Sequence, residues 1–176
     1  MAFERTGGEE VYEGQIFTVR RDRFRHDDGE EVTRDVVAHP GAVAAVVHDG
    51  ERLFLVAQPR EAVGDPALLE LPAGKLDEED EDPLATMKRE LAEEIGKGAR
   101  RWEHLTTFFS SAGFCDEEVH VYLATDLHDA EGESEKEERI EVREVPLSEL
   151  DEVIAGCRDA KTLVGLLWFR AYRASG

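Results

Sequence analysis

The 176-residue chain predicts an α/β (α+β) fold, an α/β/α sandwich around a mixed sheet, preceded by a small antiparallel β section. Three observations predict it. Short apolar runs of strand length recur along the chain, Pro83 to Ile95 has helical spacing, and two further helical segments close the sequence. The length suits one main domain with a short appendage and is enough to bury a sizeable core. The division expected is 1–38 for the N-terminal β section and 39–176 for the main domain.

Taken in order, Glu13 to Arg25 alternates weakly around Ile16, Phe17, Val19 and Phe24. Asp27-Asp28-Gly29 predicts a turn, and Glu31 to Ala38 alternates again, giving a hairpin. Ala42 to Val47 and Leu53 to Ala57 are near-continuous apolar runs around Asp49-Gly50. Such runs suit a second hairpin covered on both faces. Leu68 to Leu71 is a short strand ending in Pro72-Ala73-Gly74. From Pro83 the apolar residues Leu84, Met87, Leu91 and Ile95 fall three or four apart. Asp82 as N-cap, Pro83 at the first helical position and Gly96 past the end bound that helix. Strands are expected over 102–109, 119–124 and 140–145. A helix is expected from Pro146, and a strongly apolar one over 162–172.

Charge and cysteine content narrow the partners. Against 41 acidic residues stand 21 basic ones, a net charge of −20, so the surface repels nucleic acid. No apolar run approaches the roughly 20 residues of a spanning helix, and the N-terminus lacks a secretory pattern. Cys115 and Cys157 form no CxxC pair, which predicts a reduced, cytoplasmic protein. The six histidines have no zinc-site spacing. Phe17, Phe24, Trp102 and Trp168 are read as core aromatics, and Cys115 as packing.

The chemistry concentrates in Arg89-Glu90-Leu91-Ala92-Glu93-Glu94-Ile95-Gly96. On a helix Glu90, Glu93 and Glu94 share a face, with Met87, Leu91 and Ile95 roughly 100° away. Three carboxylates within one turn repel one another unless they hold a hard cation such as Mg²⁺ or Mn²⁺ through oxygen. A solvated acidic face is the competing reading, and the spacing alone leaves both open.

The wider pattern, Gly74, Glu81, then Arg89-Glu90-Leu91-x-Glu93-Glu94-x-Gly96, resembles the signature box of the Nudix hydrolases. Six residues, one more than the family pattern, separate Gly74 from Glu81, and Lys97 stands where the box usually closes on an apolar residue. The segments 12–17, 39–46, 58–60, 69–77 and 109–117, and an acidic stretch before Ile140-Glu141-Val142, look like the ADP-ribose pyrophosphatase branch. Ala112 replaces that branch's usual proline.

The resemblance implies a homodimeric, Mg²⁺- or Mn²⁺-dependent hydrolase with two or three ions per site. Its reaction would be cleavage of ADP-ribose to AMP and ribose 5-phosphate. Another nucleoside diphosphate sugar, or a nucleotide sensor without turnover, are the alternatives. Glu90, Glu93, Glu94 and the Ala73 carbonyl would hold metal. Arg89 would pair with Glu81 and, with Gly74, support the loop. Arg60 would contact the diphosphate. A loop carboxylate, Glu138 first and then Glu137 or Glu135, would handle the proton, with Glu93 a further catalytic candidate. Phe17, Arg20 and Arg21 are candidates for the base pocket, which this branch builds partly from its N-terminal section. For both arginines a solvated strand surface competes.

Overall fold

A computed structural model describes residues 1–76, 82–132 and 139–175. Contacts divide the chain into two units, Met1–Gly41 with Phe109–Glu118, and Ala42–Phe108 with the chain from Val119 onward. The first unit thus takes in a distant segment beside the β section expected over 1–38.

That first unit holds an antiparallel sheet of β1 (Phe3–Glu13), β2 (Thr18–His26) and β3 (Glu31–Ala38), in that order. The β2–β3 hairpin is the one expected. Its turn places Gly29 at φ 86°, a left-handed position that suits glycine. The strand read from Glu13 to Arg25 is instead interrupted. Gly14 N–H donates to the Phe17 oxygen at 3.0 Å, reversing the chain between β1 and β2. A Cβ at Gly14 would stand 2.9 Å from that oxygen, so glycine permits the close approach. Phe17 lies in the reversal, 40% exposed, with its ring tilted against Tyr12 at 6.2 Å rather than entering a core. Almost all of β1 is exposed, so it carries no apolar alternation by which to recognise it. Pairing and one buried acid hold it: Asp22 accepts from Arg5 at 2.6 Å and from Arg20 at 3.4 Å. The 109–118 segment joins β3 through Val37 N–H to the Phe114 oxygen (2.7 Å) and Asp116 N–H to the Val37 oxygen (3.1 Å).

The second unit is built on a mixed sheet of β10 (Glu141–Pro146), β5 (Arg52–Arg60), β4 (Ala42–His48), β9 (Glu118–Asp129) and β8 (Lys97–Phe109), in that order. Two short strands, β6 (Asp65–Glu70) and β7 (Ala73–Lys75), pair with β5 and β4 respectively. The β4–β5 pair is antiparallel and β4–β9 parallel. Helix α1 (Pro83–Ile95) covers one face; α2 (Leu150–Gly156) and α3 (Ala160–Ser175) cover the other. Strand alternation divides the core accordingly. Val43, Ala45 and Val47 pack with Met87, Leu91 and Ile95 of α1, while Ala44 and Val46 pack with Leu166 and Phe169 of α3. This is the three-layer α/β/α arrangement expected.

The ends of α1 are those the sequence marks. Asp82 Oδ1 accepts from Leu84 N–H, Pro83 opens the helix, and Gly96 closes it at φ 65°. Trp168 departs from the core reading: it is 50% exposed on α3. Among the described residues no helix is long and apolar enough to cross a membrane.

Candidate active site

Burial of Met87 and Leu91 fixes the rotation of α1, and with it the direction of the carboxylates. Glu90 and Glu94, one helical turn apart, both reach the Ala73-Gly74 segment of β7. Ala73 N–H donates to Glu94 Oε2 at 2.9 Å. The Glu90 carboxyl lies directly against the Gly74 Cα. A Cβ there would overlap Glu90 well inside the 3.0 Å that real Cβ atoms respect. Glycine at 74 is therefore required for space, and its φ is not among the positive ones. Arg89 Nη1 bridges the remaining acid, 3.1 Å from Glu90 Oε1 and 3.0 Å from Glu93 Oε2.

Three carboxylates and the nearby β7 backbone offer hard oxygen donors, the kind a divalent cation such as Mg²⁺ prefers. Glu90, Glu94 and the Ala73 carbonyl could hold it, with Glu93 beside them. Among the described residues no group of three or more His, Cys, Asp or Glu side chains is arranged as it stands to hold a metal ion. Arg89 and the Ala73 N–H supply the compensating positive ends. The fit thus rests on donor chemistry and on the glycine cradle.

Behind β7 lies a buried polar cluster. Glu70, the last residue of β6, is fully buried and accepts from Arg60 Nε at 2.7 Å and Arg60 Nη2 at 2.8 Å. Lys161 of α3 donates to its Oε2 and lies 3.1 Å from Asp159. Asp159 in turn takes the Thr162 hydroxyl at 2.6 Å, and that hydroxyl accepts from Leu71 N–H at 2.8 Å. Burial alone would raise the Glu70 carboxyl, yet Arg60 and Lys161 hold it below the usual carboxylate range. Arg60 is raised chiefly by its bonds to Glu70, and the Glu94 carboxylate adds to the effect. Arg60 therefore stands within electrostatic reach of the acidic helix.

A NUDIX domain model matches residues 38–163. The chain belongs to the Nudix family. It is 45% identical over 128 residues to an ADP-ribose pyrophosphatase of Mycobacterium tuberculosis, covering 72% of this chain and 61% of that protein. An ADP-ribose pyrophosphatase of Bacillus subtilis is 34% identical over 171 residues, covering 94% of this chain and 91% of that one. A crystal structure of an ADP compounds hydrolase superposes with TM-score 0.87 over 100% of this chain and 97% of that one. Its identity is 20%, so this likeness speaks to fold.

With the Nudix frame in place, the expected residues sort clearly. Ala73, Gly74, Glu90, Glu93, Glu94 and Arg89 come together in the second unit. Arg60 joins their neighbourhood, though two of its donors are spent on Glu70. Glu81, expected to pair with Arg89, and the loop acids Glu135, Glu137 and Glu138 lie outside the described residues. In the first unit, Arg20 binds Asp22 and Asp116, the latter at 2.9 Å, and Arg21 binds Asp35 at 2.8 Å. Both arginines are thus ion-paired within that unit, and the pairing leaves both the base-pocket and the solvated-strand readings standing. Glu70, Asp159, Lys161 and Thr162 were not singled out by sequence. The available signal was a lone acid inside the apolar run Leu68-Leu69-Glu70-Leu71, where only a paired charge is tolerated.

Proposed function

We propose that the protein is a metal-dependent Nudix pyrophosphatase that hydrolyses ADP-ribose to AMP and ribose 5-phosphate. The observation that carries the reading is the convergence of Glu90 and Glu94 on the Ala73-Gly74 segment of β7, with glycine demanded by the Glu90 carboxyl. The ADP-ribose pyrophosphatases among its relatives supply the substrate. Mg²⁺ or Mn²⁺ bound at Glu90, Glu93, Glu94 and the Ala73 carbonyl would supply charge neutralisation for the diphosphate and a lowered pKa for water.

The chain's own groups do the rest. Arg60 binds diphosphate oxygens through its remaining N–H groups, because a guanidinium keeps its charge and matches phosphate geometry. Arg89 holds Glu90 and Glu93 in register on α1, aided by Glu81. Glu138, or else Glu137 or Glu135, takes the proton as water attacks phosphorus and the bridging P–O bond breaks. Phe17, Arg20 and Arg21 belong to the base pocket in this reading. It also includes a cytoplasmic setting, consistent with two free cysteines, and a homodimer paired through the N-terminal β section.

The test is a panel of ADP-ribose, GDP- and UDP-sugars and dinucleotides incubated with Mg²⁺, with products identified by mass. AMP and ribose 5-phosphate from ADP-ribose at the highest kcat/KM is the expected result. Cleavage of nothing defeats the enzyme reading, and preference for another sugar nucleotide moves the substrate. A fully active monomer in solution would overturn the dimer.

A further inference from the structure

Within the second unit, the network around Glu70 is larger than strand pairing requires. A fully buried carboxylate is costly unless charged partners satisfy it, and here two cations from different elements do so, Arg60 from β5 and Lys161 from α3. The same cluster ties α3 to the main chain at Leu71, two residues before Ala73. Its output is the orientation of one side chain.

Glu70 takes the Nε and Nη2 edge of the guanidinium, two of its five N–H donors. Nη1 makes no hydrogen bond among the described residues. The opposite end, one N–H on each Nη, is a second two-pronged donor of the kind that matches phosphate oxygens. The Arg60 side chain as a whole is 42% exposed while its partner carboxylate is sealed at 1%.

We propose that Glu70 is a positioning residue for the diphosphate: its buried carboxylate locks Arg60 by a two-bond grip and so presents the free end of the guanidinium to substrate phosphates. Lys161 keeps Glu70 ionised and fixed, so the grip does not depend on Arg60 alone. The proposal rests on the diphosphatase reading above and adds to it a residue that never touches substrate. The loss expected when the grip fails is affinity, since Arg60 would meet the phosphates in both ground and transition state.

The experiment compares wild type, Glu70→Gln, Arg60→Ala, the double variant and Arg60→Lys. KM and kcat are read on ADP-ribose, equilibrium binding on its non-hydrolysable α,β-methylene analogue, and folding by thermal melts. Glu70→Gln should raise KM and the analogue Kd by about tenfold or more, with kcat within about threefold. The double variant should match Arg60→Ala alone, because Glu70 acts through Arg60. Arg60→Lys keeps the charge but lacks the fork, and should resemble Arg60→Ala. It decides the matter even if Glu70→Gln fails to fold. A folded Glu70→Gln with wild-type affinity, effects that multiply in the double variant, or an Arg60→Lys of wild-type affinity would each overturn the proposal. A wild type that binds the analogue but cleaves no diphosphate defeats the hydrolase reading alone; one that binds nothing defeats both.

Discussion

Gly74→Ala isolates the geometry of the acidic helix. Gly74 needs no special φ, so alanine costs nothing in backbone strain. The cost lies in space. The new methyl group would stand 2.1 Å from Glu90 Cδ and overlap its Cγ and Oε1 atoms as well, and reaching ordinary contact at 3.4 Å requires a retreat of at least about 1.3 Å. The obstacle is a flexible carboxyl group rather than backbone, so Glu90 moves and the strand stays. Stability should fall by no more than about 1 kcal/mol, as for a change relieved by one side chain. Activity should fall far more, because about 1 Å of misplacement near a reacting centre costs roughly 100-fold. The assay is ADP-ribose turnover at graded Mg²⁺, beside a thermal melt. Gly156→Ala is the control, since a Cβ there meets nothing within 4 Å. A Gly74→Ala protein with wild-type turnover and wild-type Mg²⁺ dependence would refute the placement of Glu90 at the site.

Glu94→Gln removes a charge from the donor set and weakens the bond from Ala73 N–H; kcat should drop by more than the roughly 10–100-fold that changes to supporting groups cost, with the melting temperature nearly unchanged. Gly165→Ala places a Cβ 2.6 Å from Leu71 Cδ1 in the α3 layer, so urea unfolding should show a loss of about 1–3 kcal/mol. At Asp49, burial raises the carboxyl, but Glu51 and Arg52 backbone N–H groups and the Arg52 guanidinium outweigh it and lower the pKa from 3.8 to about 2. A depressed folded pKa means stability present above the unfolded value and lost as pH falls toward 2. Asp49→Asn keeps the backbone acceptor and loses the charge. Its urea midpoint should therefore fall less than that of wild type on acidification over this window, and equal slopes would contradict the assignment.

What could be read in advance follows from how locally each feature is encoded. Helix α1 was legible because Asp82, Pro83, Met87, Leu91, Ile95 and Gly96 all speak for the same element within 15 residues. β4 and β5 were legible because both faces are buried and Asp49-Gly50 marks the turn between them. β1 was not, because a strand exposed on both faces has no alternation to display. The Gly14–Phe17 reversal was hidden inside a weakly alternating segment, and only the close approach to the Phe17 oxygen shows why glycine is there. Trp168 misled because an apolar helix face reads the same whether it is covered or not. At the site, the acids of α1 were readable through their spacing. Glu70 was not, since its partners stand 10 and 91 residues away and neither spacing has a local signature.

The charge of the whole chain and the chemistry of the site operate over different ranges. With 41 acids and a net −20, a polyanion lying across the surface meets repulsion along its length. A small diphosphate needs only one spot, and charges farther than about 8–10 Å through solvent are largely screened at physiological ionic strength. What it meets there is set by near neighbours. Arg89 is engaged by Glu90 and Glu93, and Lys161 by Glu70 and Asp159. Arg60 is held along one edge only. It is the cation in this cluster whose donors are divided between the protein and an outward-facing end. On the proposed function, the acidic helix would need a cation from solution before it could accept a phosphate. That requirement would exclude anions from the carboxylates in general and admit those that arrive with Mg²⁺. In the proposed function, repulsion of nucleic acid and acceptance of a metal-bound diphosphate would both follow from the same excess of carboxylates, acting at long range in one case and at contact in the other.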